Sequence, residues 1–366
     1  MKKRLRRIIR AVDERFQVRL SRMKYSKRSY RCKSAVVGND SLDKSTKRLI
    51  SSYWGGVKAN SKFVALYNII NNTASFDVRF VSDDLFYCYI DPFYNNTDAA
   101  RWIDDKNYYD LLFKDVPQAA VIARKMNGFL LNADFERIDE DAVISLCKKY
   151  GEVIIKKSID SEGGHGVQIV DMTATTDGLQ KAILNNDEFV IQEVVKQHPA
   201  LAAIHSSSIN TLRIMSLLYE GEVHILSTVL RMGRDGSRID NASSGGIFCG
   251  VDESGKLRKY AYDVNGNRWD CHPSGVVFEG YEIPGVDKCK DIVRANAIKI
   301  ARFCKMPSWD FAIDEKGNPI FIEVNMTYGQ LDFHQMTNGP LFKDLTLEIM
   351  NEVFASPKKR FVRKIF

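Results

Sequence analysis

The 366-residue chain is 45% hydrophobic, which is enough for two or three packed subdomains with a sizeable core. No apolar run approaches the ~20 residues of a membrane-spanning helix, and the N-terminus lacks the apolar centre of a signal peptide. The seven cysteines are scattered without a C-x-x-C pair, which argues against a disulfide scaffold and favours a reducing, cytoplasmic compartment. The net charge of +7 is uneven: residues 1–33 carry fourteen Lys or Arg against two acidic residues, whereas residues 34–366 carry 39 against 44.

Residues 2–24 predict a helix with one apolar stripe and a densely basic remainder. Such a helix can lie on an anionic membrane surface, dock on a partner, or pack its stripe on its own domain. A stripe alone does not identify what covers it, so these three alternatives stay open. The apolar positions recur at steps of three and four: Leu5, Ile8, Ile9, Val12, Phe16, Leu20 and Met23.

Residues 52–96 are rich in aromatic side chains and predict a small α/β domain at the start of the folded body. The string DKNYYDLLF, in which Lys106 is the second residue, predicts a helix that follows it. The candidate core positions of this domain are Phe80, Leu85, Phe86, Tyr89 and Phe93.

Residues 139–196 read as a helix, two strands joined by the loop SIDSEGGHG, a second helix and a third strand. Asp139 is a plausible N-cap of the first helix, and Gly151 ends it. Lys156 lies at the end of the apolar strand EVIIKK, and the glycines after it can turn backbone N–H groups inward around phosphates. The spacing is not that of a Walker A loop, and an ordinary connecting loop is the alternative.

The next segment, INTLRIMSLLYEGEVHILSTVLRMG, predicts a hairpin that turns at Glu220 and Gly221. Arg213 and Arg231 lie near the ends of its apolar strands. A buried arginine needs an anion, which is either a structural carboxylate or a bound phosphate. The pattern R-x-x-N-x-x-x-G-G that follows favours phosphate, and residues 287–304 then predict an amphipathic helix.

A second hairpin is predicted over residues 309–325, WDFAIDEKGNPIFIEVN. If its turn is centred between Lys316 and Gly317, Asp310 lies opposite Glu323. Alternation along the strand then puts Glu323 and Asn325 on one face. Two carboxylates and an amide oxygen suit Mg²⁺, although a polar hairpin face that simply meets water is the alternative.

Taken in order, these motifs resemble the ATP-grasp superfamily: Lys156 with SEGGHG, the strand IQEVV, R-x-x-N-x-x-x-G-G, and D-x₁₂-E-x-N. The strings DPFYN, DKNYYDLLF, QEVVKQH, INTLRI and DNASSGG are similar to the sugar-transfer-associated ATP-grasp family, over about residues 50–350. The resemblance implies an α+β ATP-grasp fold in which two α+β subdomains grip ATP. We expect a basic helical extension, a small α/β domain, a lid subdomain and a C-terminal subdomain with the metal hairpin, at 1–33, 34–135, 136–196 and 197–366.

The resemblance also implies roles for individual residues. In many members of the superfamily an acidic residue just after the strand that corresponds to IQEVV, the hinge strand, contacts the ribose of ATP. This sequence has no acidic residue there, so Gln197 or His198 is the candidate for that contact. The expected ATP-binding positions are Lys106, Lys156, Ser161, Gly163, Gly164, Gly166, Gln192, Glu193, Val194 and Val195. Phosphate or acyl-phosphate charge would be bound by Arg213, Arg231 and Arg238, and Asn241 completes the expected catalytic set. Mg²⁺ would be coordinated by Asp310, Glu323 and Asn325.

The implied activity is an ATP-dependent ligase that phosphorylates a carboxylate and lets an amine displace the phosphate, with ADP as the product nucleotide. Such a reaction needs no nucleophilic side chain and would serve surface polysaccharide or other sugar-linked biosynthesis. A phosphotransferase with the same site is one alternative, and a basic-tailed membrane or nucleic-acid binding module is another. The acidic body disfavours nucleic acid. We expect a cytoplasmic protein, with peripheral binding to the inner membrane face through residues 2–24 as a further hypothesis.

Overall fold

The computed structural model describes residues 16–26, 42–57, 59–71, 75–96, 103–159, 166–237, 240, 245–327 and 329–355. In the described residues before Val121 the fold is helical, apart from isolated bridges at Asn95 and Gln118, and not the predicted mixture of helices and strands. Buried positions of its central helix recur at helical spacing, as at Phe63, Leu66 and Tyr67. Its elements are α1 (16–26), α2 (Lys44–Trp54), α3 (Ser61–Asn71), α4 (Asp83–Leu85), a π-helical turn (Phe86–Ile90), α5 (Asp91–Tyr94), a 3₁₀ turn (Lys106–Tyr108) and α6 (Tyr109–Leu112).

A five-stranded antiparallel sheet follows, with the strand order β2-β1-β5-β3-β4. Asp139 caps the covering helix by accepting the N–H of Ala142, and Gly151 adopts a positive φ just beyond its end, as predicted. The predicted domain boundary at residue 135 separates the first two strands from the sheet in which they pair. The elements are β1 (Val121–Met126), β2 (Phe129–Asn132), α7 (Glu140–Lys148), β3 (Glu152–Lys157), β4 (Val167–Asp171), α8 (Asp177–Asn185) and β5 (Phe189–Glu193).

The larger sheet has seven antiparallel strands in the order β10-β9-β8-β7-β6-β11-β12. The predicted turn of its first hairpin is confirmed, with positive φ at Glu220 and Gly221. The elements are α9 (Pro199–Ile204), β6 (Thr211–Tyr219), β7 (Glu222–Met232), β8 (Ile247–Val251), β9 (Leu257–Tyr262), β10 (Arg268–Trp269), α10 (Val286–Ile300), β11 (Ser308–Ile313), β12 (Pro319–Asn325), α11 (Leu331–Asn338) and α12 (Thr346–Ala355).

Each face of the larger sheet packs into a separate core. Leu212 and Ile214 of β6 face the core that contains α10, whereas Met215 and Leu217 face the core that contains α11, α12 and the N-terminal helices. Because successive side chains of a strand alternate between faces, Arg213 points to the second face. None of the helices in the described ranges combines the length and the apolar character needed to cross a bilayer.

The hairpin β11–β12 joins the two sheets. The N–H of Phe321 donates to the carbonyl of Pro117 (2.8 Å), just before β1, and the N–H of His198 donates to the carbonyl of Ile313 (2.9 Å), just after β5. The chain segments that lead into and out of the small sheet therefore run along this hairpin. As a result, the ends of β3 and β5 lie close to the polar residues of β12.

Candidate functional site

The predicted pairing of Asp310 with Glu323 is confirmed by the register of β11 and β12. Beyond Asp310 the predicted register is wrong by one residue, because a bulge shifts the pairing so that Phe311 opposes Phe321. The bulge leaves Ile322 as the extra residue directly before Glu323. The bulge therefore lies inside the candidate metal motif, D-x₁₂-E-x-N, rather than in the turn of the hairpin.

Asp310 is the centre of a buried ion-pair cluster. Its side chain is 2% exposed and accepts Nε (2.8 Å) and Nη2 (2.6 Å) of Arg213, a bidentate geometry. Nη1 of Arg231 donates to the same carboxylate at 2.9 Å. From the sequence, the anion that pairs with these arginines was either a structural carboxylate or a bound phosphate. In the structure both arginines contact the carboxylate of Asp310.

Arg231 also contacts Asp240, at 3.4 Å, and the hydroxyl of Thr211 donates to the other oxygen of Asp240. Burial raises the pKa of Asp240, although Arg231 and the Thr211 hydrogen bond oppose that shift. Nε of Arg231 is buried and has no hydrogen-bond partner among the residues that the structure describes. Arg231 therefore keeps one directed donor for a further acceptor.

Glu323 faces the small sheet and forms an ion pair with Lys106, at 3.2 Å between Oε2 and Nζ. Burial alone would raise the pKa of Glu323, but Lys106 and the two arginines outweigh it and lower that pKa, so the carboxylate is ionised. Lys106 lies in the 3₁₀ turn, and its N–H donates to the carbonyl of Ser158 just beyond β3.

Lys156, at the end of β3, donates Nζ to Oε1 of Gln192 on β5 at 3.0 Å. Burial and then the like charge of Lys106 lower the pKa of Lys156 to about 8, and Glu323 only partly offsets them. Two cationic side chains therefore share one carboxylate here, a distribution of charge suited to a polyanion such as a phosphate chain.

The predicted metal ligands lie together. Glu323 opposes Asp310, and Nδ2 of Asn325 lies 3.4 Å from Oδ2 of Asp310. Glu323 and Asn325 are half-buried, whereas Asp310 is buried behind them. Carboxylate and amide oxygens suit Mg²⁺, so the donor set fits that ion. Within the described ranges no cluster of three or more His, Cys, Asp or Glu residues could hold a metal, and the predicted set contains only two carboxylates.

Four of the predicted ATP-binding residues, Gln192 to Val195, lie at the end of β5 and directly after it. Gln192 donates Nε2 to the carbonyl of Ala119 (3.3 Å), and Glu193 accepts the N–H of Ala120 (3.0 Å). The side chains of both residues thus fix the segment to the chain before β1. Val194 and Val195 are half-buried beyond the strand.

Neither candidate for the ribose contact has a free side chain. Gln197 donates Nε2 to the carbonyls of His205 and Ser208 and accepts from Asn210 through Oε1. His198 caps α9 by accepting the N–H of Ala200 on Nδ1. Both side chains fix the chain between the two sheets.

Five predicted site residues lie outside the described residues: Ser161, Gly163, Gly164, Arg238 and Asn241. Gly166 is described and has a φ of 82°, a backbone conformation that favours glycine. A Cβ added at this position would lie 3.2 Å from Cβ of Lys157, which is a tight contact. Asp240, Gln330 and Thr211 were not predicted as site residues from the sequence. Gln330 accepts from Nη1 of Arg213 and begins α11 with a positive φ, a signal that only the structure provides.

Comparison with known proteins gives one family. The family model described as "Sugar-transfer associated ATP-grasp" matches residues 88–351, more than half of the chain. The search of curated proteins returned no match.

Among solved structures, D-alanyl-alanine synthetase A from Vibrio cholerae matches with a TM-score of 0.41 and 14% identity, over 72% of this chain and 66% of that chain. The L-amino acid ligase from Bacillus licheniformis matches with a TM-score of 0.40 and 13% identity, over 72% and 50%. The D-alanine-D-alanine ligase from Coxiella burnetii matches with a TM-score of 0.42 and 10% identity, over 71% and 61%. This chain spans less than two thirds of the length of each.

Proposed function

The chain belongs to the sugar-transfer associated ATP-grasp family, and we propose that it is an ATP- and Mg²⁺-dependent ligase that joins a carboxylate to an amine. The observation that carries this proposal is the 3.2 Å pair between Lys106 and Glu323. It brings the lysines beside the small sheet to the carboxylate hairpin of the large sheet. Phosphate-binding cations and metal-type oxygens thereby meet at one place.

We propose that the small sheet with its helices and the large sheet with its helices are the two halves of the grip, and that the N-terminal helices form a separate domain. Gln192 to Val195 would line the adenine from the hinge side. Lys106 and Lys156 would hold the phosphates. This division starts the small-sheet half just before Val121, where the strand pairing begins.

The proposed chemistry has two steps. A substrate carboxylate oxygen attacks the γ-phosphorus of ATP, the bond to ADP breaks, and an acyl phosphate forms. An amine nitrogen then attacks the acyl carbon, phosphate leaves, and the amine loses a proton. Arg213 and Arg231 would stabilise the negative charge of the transferred group, and the buried Nε of Arg231 is the donor that we assign to it. Mg²⁺, when bound by Glu323, Asn325 and Asp310, supplies charge neutralisation on the phosphates.

The experiment is a screen of carboxylate and amine pairs for ATP consumption, with the product nucleotide identified. We expect ADP, and hydroxylamine should trap the acyl phosphate as a hydroxamate when the right carboxylate is present. Arg231→Ala should suppress the trapped product by about 10- to 100-fold, because a hydrogen bond to a charged group contributes about 1.5–3 kcal/mol.

The competing proposal is a phosphotransferase that uses the same residues. It requires a stable phosphoester product, with ADP released and no hydroxamate from any carboxylate tested. That result would replace the ligase proposal. For the pathway, we propose surface polysaccharide or other sugar-linked biosynthesis, which the family description supports only in general terms.

We further propose that the protein binds the inner face of an anionic membrane through α1. This helix is attached to its own N-terminal domain by its polar and aromatic side. Arg22 forms an ion pair with the buried Asp84 (2.6 Å), and the ring of Tyr25 stacks on that of Tyr87 with centroids 5.0 Å apart.

The opposite side of α1 supports the membrane proposal. Phe16, Leu20 and Met23 are 58%, 38% and 45% exposed, and Arg19 and Lys24 are exposed beside them. The apolar stripe predicted from the sequence thus faces outward over these residues. Apolar side chains flanked by basic ones suit an interface with anionic lipid.

The test replaces Phe16, Leu20 and Met23 by serine and measures sedimentation with anionic vesicles. Deleting residues 2–24 would also remove Arg22, the partner of a buried carboxylate, so substitution is the cleaner change. Leu184→Ser with Ile298→Ser removes exposed apolar surface elsewhere and is the control. We expect binding to fall only in the first variant, with ATP turnover unchanged, and equal binding by both variants would refute the proposal.

A further inference from the structure

Two histidine rings lie next to each other and contact the chain segment that follows β7. His205 lies at the end of α9, and His272 lies in the loop after β10; their ring centroids are 5.8 Å apart. Both side chains are buried, at 7% and 2% exposure. The segment between them, Gly233–Ser237, carries Arg234 and lies between Arg231 and Asp240 in the sequence.

Hydrogen bonds fix the tautomer of His272. The N–H of Ser274 donates to Nδ1 at 3.1 Å, so Nδ1 is an acceptor. Nε2 therefore carries the proton, and it donates to the carbonyl of Gly233 at 2.9 Å. The ring is neutral and uses both nitrogens. Burial lowers the pKa of His272, and the hydrogen bond to the carbonyl of Gly233 opposes that shift without reversing it. The lowered pKa agrees with a neutral ring.

His205 holds the other end of the segment. Its Nε2 lies 2.7 Å from the carbonyl oxygen of Ser237, which can only accept, so Nε2 carries a proton. The backbone of His205 is itself fixed, because its carbonyl accepts from Gln197 and Asn210, both at 2.9 Å. The ring therefore projects from a rigid point of the chain.

Gly233 shows how closely the segment is seated. A Cβ at this position would lie 2.6 Å from Cδ2 of His205 and 2.6 Å from Oγ of Ser208. The absence of a side chain thus lets the backbone rest against the imidazole. Within the segment, Ser237 donates its N–H to the carbonyl of Arg234 at 3.0 Å and closes a turn.

We propose that His205 and His272 form a clamp, the histidine clamp, that positions the arginine segment Gly233–Ser237 for phosphoryl transfer. The clamp fixes both ends of the segment by two donors from separate parts of the chain. It thereby fixes the backbone that continues from Arg231 and carries Arg234, whose Nε donates to the carbonyl of Gly245 at 2.6 Å. The histidines are positioning residues, and their catalytic consequence rests on the proposed function.

The test compares His272→Leu with His272→Gln in the full chain. The Nε2 of glutamine can replace the donor to Gly233, whereas leucine keeps volume without a donor. Hydrogen exchange is measured on peptides that cover 233–237, with peptides of α10 (Val286–Ile300) as the internal control. We expect exchange in 233–237 to be at least about tenfold faster in the leucine variant and close to wild type in the glutamine variant, with α10 unchanged.

Equal exchange in all three proteins would overturn the clamp, and so would a glutamine variant as fast as the leucine variant. Faster exchange that extends equally to α10 would also contradict it, because the loss would then be global. His205→Leu and His205→Gln repeat the test from the other end and cover the case of a variant that does not fold.

Kinetics supply the second readout. In a carboxylate and amine pair that supports turnover, His272→Leu should lower kcat by about tenfold and change KM for ATP by less than about threefold, because the segment that the clamp holds contains neither of the lysines proposed to bind the ATP phosphates. A change confined to KM would contradict the assigned role. If no pair supports turnover but the exchange result holds, the proposed function fails and the clamp stands.

Discussion

The two sides of the candidate site hold their charges in different ways. On the large sheet, Asp310 is enclosed by Arg213 and Arg231, with three contacts between 2.6 and 2.9 Å. On the small-sheet side, Lys106 and Lys156 repel each other, and Glu323 from the opposite sheet attracts both. The first side is neutralised within a rigid sheet, whereas the second has an excess of positive charge.

This difference predicts which property of the protein a substitution on each side should change most. A buried carboxylate between two arginines belongs to the folded structure, since removing one partner leaves the others buried and uncompensated. Two lysines with one shared carboxylate gain most when a polyanion arrives. We therefore expect changes on the large-sheet side to affect stability first, and changes on the small-sheet side to affect nucleotide binding first.

The largest expected effect is on stability. Asp310→Asn keeps the shape but removes the charge between Arg213 and Arg231, and should lower the free energy of unfolding by about 3–5 kcal/mol. Chemical denaturation measures it. The control is Asp291→Asn, which breaks an exposed pair with Arg294 and should cost about 0–1 kcal/mol. Equal losses in the two variants would remove the distinction between the two sides.

Glu323→Gln should abolish Mg²⁺-dependent turnover, by at least about 100-fold, because a direct metal ligand matters at least as much as its outer partners. Its stability should change far less than that of Asp310→Asn, since Glu323 is half-buried. Glu315→Gln, in the exposed turn of the same hairpin, is the control. Steady-state rates with saturating Mg²⁺ measure the effect, and full activity in Glu323→Gln would end the metal assignment.

Lys156→Ala should weaken ATP binding by about 10- to 100-fold, the equivalent of about 1.5–3 kcal/mol for a charge-assisted hydrogen bond. The neighbouring Lys157 is exposed on the same strand, so Lys157→Ala is a matched control. Calorimetric titration of ATP measures both. Similar affinities in the two variants would contradict a phosphate-binding role for Lys156.

The smallest effect is the pH dependence of ATP binding. Because the pKa of Lys156 is lowered to about 8, affinity should fall above that pH as the ammonium loses its proton, at most roughly tenfold per pH unit. Lys156→Arg stays charged and should give a flat profile. The same lowered pKa means that the charged form opposes folding, so this contribution to stability improves as pH rises from about 8 towards 10.5. Parallel profiles for wild type and Lys156→Arg would contradict this assignment.

The sequence predicted those features of the site that depend on local periodicity. Alternation along β12 and the turn that begins at Asp314 were enough to place Asp310 opposite Glu323. The bulge at Ile322 was not predictable, because nothing in the local pattern requires an extra residue. The partner of the arginines was also not predictable, since Asp310 lies 97 residues after Arg213 and meets it only through the pairing of β6 with β11.

The N-terminal domain shows the limit of composition. Aromatic residues suggested strands there, but the described residues are helical. They bury Phe80, Leu85 and Phe86 as predicted, whereas Tyr89 and Phe93, also predicted for the core, are half-buried against it. Burial of these positions follows from their apolar character in either structure. The secondary structure depends on packing against the large sheet, which the local sequence does not contain.

The most direct test of the central claim is the Mg²⁺ dependence of ATP binding, measured by calorimetry with and without the metal in wild type, Lys156→Ala and Glu323→Gln. If the lysines bind the phosphates and the hairpin binds the metal, Lys156→Ala should weaken ATP binding under both conditions. Glu323→Gln should remove the gain in affinity from Mg²⁺ and leave metal-free binding no weaker than wild type, because it also removes a negative charge beside the lysines. Wild-type affinity and wild-type Mg²⁺ dependence in both variants would contradict the account.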